Sequence, residues 1–444
     1  MLAIPTGTLK LCALQPIPNS GAPAHSGLFR GSLGLKTIHL MMQTTDTKAA
    51  PALLMQPLAV RDLTLRNRVV ISPMCIYAAP DDGMATDLHL VQYGRFAIGG
   101  AGLIFMEATA VEPEGRGTYG DLGLWDDRQI APLARIAAFM REQGAVSGIQ
   151  IAHAGRKASG RRPFHGGGPL TDADRACGGS PWQTVAASAL PISPGGITPR
   201  EMTLADIAQL RQSFASAARR AARADFQVLE IRAAHGYLLH GFLSPHMNKR
   251  SDIYGGSLGN RMRLLLEVIE AVREQWPAPL PLSVRISSVD DIAGGWSIED
   301  SVELARQMKC RGTDLVDCSS GGIAGSATAS IVPRNYGFQL PASSFQLPYS
   351  ERVRSAAGIA TIAVGLILEP RQAEEALQTG QADLIAIGRQ ALQDPNWALN
   401  TSVALASDAP AELRFAYWPD RFAWWFSRHA KILNCLRSLC KAGQ

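Results

Sequence analysis

The sequence predicts an α/β fold, a single TIM (β/α)8 barrel, and three observations lead to it. Of the 444 residues, 46% are hydrophobic and 18% are charged, which is typical of a globular protein with a sizeable core. Short apolar runs that end in polar or glycine-rich stretches alternate with segments of helical periodicity. Eight such units favour a closed parallel barrel, because a doubly wound open sheet usually has fewer strands. The predicted strands are Val69–Met74, Leu103–Met106, Val146–Ile151, Val228–Ile231, Leu282–Ile286, Leu315–Cys318, Thr361–Val364 and Leu384–Ile387.

Helix-capping signals support the segments between these strands. A helix is predicted over Leu204–Ala224, where Thr203 can cap the first turn and Asp206 occupies the matching third position. Ser297 and Asp300 repeat this arrangement. Glycines lie where four helices should end, at Gly100, Gly144, Gly312 and Gly380.

Two extensions flank the barrel, which divides the chain into residues 1–52, 53–405 and 406–444. The first 45 residues contain no Asp or Glu and show no sustained periodicity. This pattern favours a disordered extension, or a start codon upstream of Met41 or Met42. An organellar transit peptide is the alternative, although arginine is sparse for one.

The C-terminal extension is rich in Arg and Trp over Leu413–Cys440. The favoured interpretation is a helix that packs on the barrel or on a partner. Adsorption to a membrane surface through Trp and Arg is an alternative.

Composition excludes several classes of function. The net charge is +5, and the basic residues are scattered among acids, so no nucleic-acid partner is expected. The seven cysteines include no Cys-x-x-Cys pair, which predicts neither a metal cluster nor a disulfide framework and fits a reducing cytoplasm. No apolar run reaches the roughly 18 to 20 residues that span a bilayer. We therefore expect a cytoplasmic protein with no membrane partner.

The carboxyl ends of the strands are where a TIM barrel carries its chemistry. The first predicted strand runs into residues 73–77, the third into residues 150–157 and the fourth into residues 232–237. These segments bring hydrogen-bonding and redox-capable groups to one rim. Gly365, Gly388 and Arg389 follow the last two strands, where backbone N–H groups and a helix start favour a phosphate. A pair of tight turns is the alternative there.

Taken together, these motifs resemble those of the Old Yellow Enzyme flavoproteins, in particular the thermophilic-like ene-reductases. The resemblance runs from Leu58 to Trp397, with the motifs in the family's order and spacing. It implies FMN as cofactor, NADPH or NADH as hydride donor, a small electrophilic alkene as substrate, and a homodimer or homotetramer. The matching motifs are Ser72-Pro73-Met74-Cys75 with Tyr77, the Glu107–Val111 segment, Gln150 with His153–Lys157, and His235-Gly236-Tyr237.

The resemblance also implies a cofactor site. Arg285 would stabilise the anionic reduced flavin near its N1–C2=O edge; the alternative is an ordinary ion pair with Glu107 or Asp317. Cys75 would modulate the flavin potential, unless it is simply a packed structural cysteine. Contacts with the flavin ring are implied for Ser72, Pro73, Met74, Cys75, Ala108 and Gln150, and contacts with the phosphate for Gly365, Gly388 and Arg389.

The implied catalytic residues are Tyr237, His235, Arg232 and Cys75. Tyr237 would donate a proton to the α-carbon, and His235 would donate a hydrogen bond to the substrate carbonyl. Tyr77 would contact substrate from the first loop. Arg232 departs from the family, which normally has His or Asn there.

Arg232 leaves several interpretations open. It could hold the carbonyl, prefer a carboxylate or nitro group, fill the pocket, or turn to Glu230 on the same side of its strand. The leading hypothesis is an FMN-dependent ene-reductase. The alternatives are a flavin-binding protein whose activity Arg232 has weakened or altered, and a flavin-free aldolase or isomerase acting on a phosphorylated substrate. The subgroup also implies that Arg414 or Arg421 could reach into a neighbouring subunit's site.

Overall fold

Eight parallel strands close into a barrel in the computed structural model, which describes residues 52–193, 196–323, 344–406 and 415–442. Each strand pairs with the next along the chain, and the last pairs with the first, so the predicted TIM barrel is confirmed. The strands are β1 (Val69–Ile71), β2 (Leu103–Ala110), β3 (Val146–Ala152), β4 (Val228–Ala233), β5 (Leu282–Ser287), β6 (Leu315–Ser319), β7 (Ala360–Ala363) and β8 (Leu384–Ile387).

Two strands end three or more residues away from the end of the predicted apolar run. β2 continues past Met106 because Glu107 and Thr109 are buried and hydrogen-bonded, with the Glu107 N–H donating to the Tyr93 hydroxyl at 2.9 Å. β1 ends at Ile71, because the chain leaves the sheet once the Ser72 N–H has donated to the Ile387 carbonyl. Polar character therefore does not mark the end of a buried strand.

Helices alternate with the strands as expected. Thr203 and Ser297 accept hydrogen bonds from the N–H groups of Asp206 and Asp300, at 3.1 and 3.2 Å, which confirms both caps. The helices are α1 (Asp87–Ile98), α2 (Ile130–Glu142), α3 (Leu204–Arg223), α4 (Leu238–Leu243), α5 (Leu258–Gln275), α6 (Ile298–Cys310), α7 (Leu347–Ala357), α8 (Pro370–Gln378), α9 (Arg389–Gln393), α10 (Trp397–Leu405) and α11 (Asp420–Ala442).

The barrel interior changes character along its axis. At the amino end, Phe105, Val228 and Leu315 belong to a buried apolar cluster, against which a hairpin over residues 58–65 packs. Side chains on one face of a strand recur every second residue. The inward positions of β4 after Val228 are therefore Glu230 and Arg232, so the same strand becomes polar towards its carboxyl end.

The C-terminal helix α11 carries exposed apolar side chains, including Trp425, Ile432 and Leu436. Phe426 packs on Phe415 and Trp418, with ring centroids 5.6 and 4.6 Å apart. Within the described residues, no helix is both long and apolar enough to cross a membrane. Packing of this helix on the barrel or a partner stays a prediction, as does the division at residues 52/53 and 405/406. Arg414 and residues 1–51 lie outside the described part of the chain.

Candidate active site

A cleft of about 500 Å³ opens at the carboxyl end of the barrel. The cleft is lined by eight of the predicted site residues, namely Ser72, Pro73, Met74, His235, Arg285, Gly365, Gly388 and Arg389. Ser319, Ser320, Phe345 and Gln346 also line it, and the sequence assigned none of them a role. The two serines directly follow β6, so a polar pair at a strand end was the signal available for them.

Arg285 and Asp317 form a buried ion pair beside this cleft. They are register partners on β5 and β6, and the Arg285 Nε lies 3.3 Å from an Asp317 carboxylate oxygen. Burial raises the pKa of Asp317, while the guanidinium opposes that shift. Arg285 thus makes the ion pair that was the alternative to a flavin role, and it lines the cleft as well.

Gln150 connects two strands below the cleft. Its amide nitrogen donates to a Glu230 carboxylate oxygen at 2.8 Å, and the Ser283 hydroxyl donates to the other at 2.8 Å. Burial raises the pKa of Glu230. Ala108 lies opposite Gln150 in the β2–β3 register. Glu230 is therefore held by neutral donors and does not pair with Arg232. The interpretation in which Arg232 turns to Glu230 is wrong.

Arg232 turns towards the rim. One of its terminal nitrogens donates to the Gln150 amide oxygen at 3.1 Å, and the other lies 3.1 Å from His235 Nδ1. The guanidinium carbon stands 4.1 Å from the centre of the Tyr237 ring, which is cation–π geometry. Arg232, His235 and Tyr237 therefore form one contiguous group.

The protonation of His235 follows from these contacts. An arginine can only donate, so Nδ1 accepts the bond and the proton of the neutral ring resides on Nε2. Nε2 lies 2.7 Å from the Ser319 hydroxyl oxygen. Burial, and then the charge of Arg232, lowers the pKa of His235 well below its ordinary value. His235 is therefore a neutral imidazole with both ring nitrogens bonded to protein groups.

A buried lysine fixes the backbone at this point. His235 has a φ of +59°, in the left-handed region, and Lys157 donates to the carbonyls of His235 and Gly322 at 2.7 and 2.6 Å. A Cβ at Gly322 would lie 2.4 Å from the His235 Cα, so only glycine permits this approach. Burial lowers the pKa of Lys157 to about 7.

Tyr237, Tyr77 and Cys75 lie close enough to influence one another electrostatically. Burial is the main cause that raises the pKa of all three groups, so they are protonated at neutral pH. Tyr77 has a φ of +55° and meets the Phe164 ring edge-on at 6.3 Å. The three predicted residues therefore share one neighbourhood.

Two buried carboxyl groups lie near this neighbourhood, of which Glu107 was a predicted alternative partner of Arg285 and Asp121 had no predicted role; Arg285 pairs with Asp317 instead. Glu107 accepts from the Tyr93 hydroxyl and from the Ile76 N–H at 3.1 and 3.0 Å, and burial raises its pKa to about 8. Asp121 accepts from Gly117 N–H and the Thr118 hydroxyl at 2.9 and 2.6 Å, and burial raises its pKa to about 6. Asp121 lies between elements and carries no periodicity signal.

The other side of the cleft contains the predicted phosphate residues. Gly365 has a φ of +112°, and a Cβ there would lie 2.6 Å from the Gln346 side-chain oxygen. The Gln346 amide lies 2.9 Å from the Ser320 hydroxyl. Gly388 precedes α9, a helix of five residues that begins at Arg389. These residues lie together, and their contact with a phosphate stays a prediction.

Comparison with known proteins agrees with this arrangement. Residues 53–407 match the NADH:flavin oxidoreductase / NADH oxidase family. The NADPH dehydrogenase of Geobacillus thermodenitrificans is 43% identical over 362 residues, which cover 81% of this chain and 97% of the relative. The NADPH dehydrogenase of Bacillus subtilis is 41% identical over 363 residues, covering 82% and 98%.

Solved structures show the same architecture. Morphinone reductase is 26% identical with a TM-score of 0.65, over 81% of this chain and 91% of the reductase. The Old Yellow Enzyme homologue from Zymomonas mobilis is 25% identical with a TM-score of 0.62, over 80% and 93%. Since the family match spans most of the chain, the protein belongs to the NADH:flavin oxidoreductase / NADH oxidase family and is an FMN-dependent oxidoreductase of the Old Yellow Enzyme type.

Proposed function

We propose that the protein is an ene-reductase, which passes hydride from NAD(P)H through FMN to the activated C=C bond of an α,β-unsaturated carbonyl or nitro compound. The observation that carries the proposal is the contiguous group of Arg232, His235 and Tyr237, of which His235 lines the cleft. A phenol and a cationic donor at one place are suited to protonating an alkene while stabilising the negative charge that develops on its activating group.

The cleft fits FMN on the chemistry of its lining. The Ser72 hydroxyl is buried and has no hydrogen-bond partner among the described residues, so it is available to a polar ligand. Arg285 suits the N1–C2=O edge of the ring, and Gly365, Gly388 and Arg389 suit the phosphate. Bound FMN supplies a two-electron hydride carrier.

The protonation of Tyr237 supports its role as proton donor. Because its pKa lies above the ordinary value for tyrosine, the phenol keeps its proton at neutral pH until a stronger base forms on the substrate. A Cβ at Gly117 would lie 3.4 Å from the Tyr237 hydroxyl, so the glycine keeps space there free of a side chain.

Cys75 is suited to tuning the flavin as a thiol. Burial and the carboxylates of Asp121 and Glu107 all raise its pKa, so a thiolate is disfavoured. A neutral S–H beside the ring can act as a weak hydrogen-bond donor, and no nucleophilic step is assigned to it.

The test separates the two half-reactions. FMN-loaded protein is reduced anaerobically with NADPH and with NADH, then reoxidised with cyclohexenone, a maleimide and a nitroalkene, followed by flavin absorbance. Reoxidation with formation of the saturated product is expected. Reduction by a nicotinamide without reoxidation by any alkene contradicts the proposal. Tyr237→Phe should slow reoxidation without slowing reduction.

A second candidate function has one observation in its favour. Arg232 stacks on the Tyr237 ring, so it can cover the phenol and leave a flavin-binding protein with weak or altered activity. Arg232→His distinguishes the two candidates. A rise of at least about tenfold in turnover of cyclohexenone would support the covered site, whereas equal or lower turnover would support an active site built on Arg232.

The remaining expectations stay proposals. They are the homodimer or homotetramer, the absence of a nucleic-acid partner, the cytoplasmic location, the choice between NADPH and NADH, and the reach of Arg421 into a neighbouring subunit. Size-exclusion chromatography with light scattering tests the oligomer directly.

A further inference from the structure

Arg232 is a buried cation that lacks a counter-charge. Its side chain is only 9% exposed, yet no carboxylate oxygen of the described residues lies within 4.0 Å of it. Arg285 and Arg250, which are equally buried, pair with Asp317 and Asp252. Burying an unpaired charge is costly, so such a group is usually retained where a ligand supplies the opposite charge.

The neighbouring acids do not pair with Arg232 directly, although its charge opposes the burial that raises the pKa of Asp317. Glu230 accepts hydrogen bonds from Gln150 and Ser283, and Asp317 pairs with Arg285. Arg232 itself uses only two of the five N–H groups of a guanidinium, one towards Gln150 and one towards His235. Its Nε is buried without a partner. Three N–H groups therefore remain for a ligand.

His235 orients this cation and does not itself offer a donor. Its Nδ1 accepts from Arg232, and its Nε2 proton points to the Ser319 hydroxyl. Gln150 and the Tyr237 ring hold the guanidinium from two further sides. His235 is thus a positioning residue, and Arg232 is the group free to contact the substrate.

We propose that Arg232 forms an anion subsite that binds a carboxylate conjugated with the substrate C=C bond. This inference rests on the proposed ene-reduction and names its substrate class. The planar guanidinium matches the two coplanar carboxylate oxygens.

The reaction balances with the reductant and the proton donor already named. A hydride from NAD(P)H, carried by the flavin, adds at the β-carbon as the C=C π bond is lost. Tyr237 donates a proton to the α-carbon and is reprotonated from solvent. The carboxylate leaves unchanged, and Arg232 balances the additional negative charge that develops on it during the hydride transfer.

The decisive experiment measures binding to the oxidised, FMN-loaded enzyme, without turnover. Benzoate and benzamide are planar and nearly isosteric but differ in charge, and their dissociation constants can be obtained by calorimetry. We expect benzoate to bind at least about tenfold more tightly. Equal affinities for the wild-type protein would overturn the proposal, whatever any variant does.

Three variants locate the effect. Arg232→Gln should abolish the preference for benzoate, and Arg232→Lys should keep part of it because the charge remains while the planar fork is lost. Arg219→Gln, a matched removal of charge on the exposed face of α3, should leave it unchanged. If Arg232→Gln keeps the preference for benzoate, with or without a shifted flavin potential, the proposal is overturned, because another cation must then bind the carboxylate.

Failure of this inference and failure of the proposed function give different results. Reduction of cyclohexenone without any preference for benzoate overturns the anion subsite alone. A strong preference for benzoate with no alkene reduced overturns ene-reduction and leaves an anion-binding site in a flavoprotein. If the ene-reduction and the anion subsite are both correct, unsaturated carboxylates such as cinnamate should be reduced faster than cinnamamide.

Discussion

The two ends of the barrel interior are built from the same eight strands but differ in the polarity of the side chains that fill them. At the amino end, Phe105, Val228 and Leu315 fill the interior with apolar side chains. At the carboxyl end, the Arg232 Nε and the Ser72 hydroxyl are buried without partners. An unsatisfied buried polar group costs about 1–3 kcal/mol. The comparison teaches that one end stabilises the fold and the other keeps donors ready for ligands.

Non-glycine residues with positive φ occur at both ends of the barrel, at Arg61 and Asp225 towards the amino end, but at the carboxyl end they coincide with the candidate site. Non-glycine residues with positive φ on the carboxyl side of the strands include Tyr77, His235 and Leu366, at +55°, +59° and +52°. They lie in the loops that follow β1, β4 and β7. Tyr77 and His235 are candidate site residues, and Leu366 is adjacent to Gly365. Such conformations persist where surrounding contacts impose them and are concentrated at functional sites.

The largest effect is expected at the amino end. Phe105 is fully buried, and its ring occupies the space above Gly148, where a Cβ would lie 2.6 Å from it. Phe105→Ala should lower the free energy of unfolding by about 3–5 kcal/mol, measured by urea denaturation at constant FMN, without changing FMN affinity. Leu88→Ala, at a 58% exposed position, should change it by less than about 0.5 kcal/mol. Equal costs would contradict the division.

The next effect concerns pH at the carboxyl end. The pKa of Glu107 is raised from 4.5 to about 8 by burial, so between these values the folded protein keeps a proton that the unfolded chain has released. Stability should therefore fall as pH rises through this window, by at most about 1.4 kcal/mol per pH unit from this group. Glu107→Gln should flatten the profile of unfolding free energy between pH 5.5 and 7.5. For Glu114→Gln, at an exposed position, the profile should run parallel to that of the wild type. A parallel profile for Glu107→Gln would show that Glu107 does not cause the fall in stability.

A third prediction tests the glycine at the phosphate side of the cleft. Gly365→Ala places a Cβ against Gln346 at a φ of +112°, so it should cost about 1–3 kcal/mol and weaken FMN binding at least about tenfold. Fluorescence quenching of added FMN measures the affinity. Gly259→Ala in α5 meets no atom within 4 Å and should instead raise stability by about 0.5–1 kcal/mol. Normal FMN affinity in Gly365→Ala would remove Gly365 from the cofactor site.

The smallest expected effect is a gain in the free energy of unfolding at Arg232, opposite in sign to the usual loss when a buried residue is replaced. Arg232→Met removes an unpaired buried charge and should raise the free energy of unfolding of the ligand-free protein by about 1 kcal/mol. Arg250→Met removes the partner of Asp252, which is 32% exposed, and the donor to two buried carbonyls. It should therefore lower the free energy of unfolding by about 1–3 kcal/mol. Equal losses in urea unfolding would show that Arg232 is a structural residue like Arg250.

The sequence was sufficient for the barrel because each strand contains a short, largely apolar run and these runs alternate with segments of helical periodicity. It was less informative at the rim, where burial and polarity coincide. β2 passes through Glu107 and Thr109, whose hydrogen bonds are made with residues distant in sequence, so no local pattern could place its end.

The contacts of Arg232 were equally beyond local reasoning. Glu230 shares its side of β4 and was a reasonable partner, but Gln150 and Ser283 from the two neighbouring strands already satisfy that carboxylate. Competition among partners from three strands decides the outcome, and only the assembled barrel reveals it. The resemblance supplied the residue types at the site, while the tautomer of His235 required the geometry.

Lys157 links three loops at the carboxyl end of the barrel through hydrogen bonds that do not require its positive charge. Its amine joins the loop after β3 to carbonyls in the loops after β4 and β6. A neutral amine still carries two N–H groups, enough for both carbonyls, so the loops stay joined when the pH passes the lowered pKa near 7. The backbone conformation around His235 is thereby kept the same whether Lys157 is charged or neutral, and titration of Lys157 acts on the site only through its charge on His235.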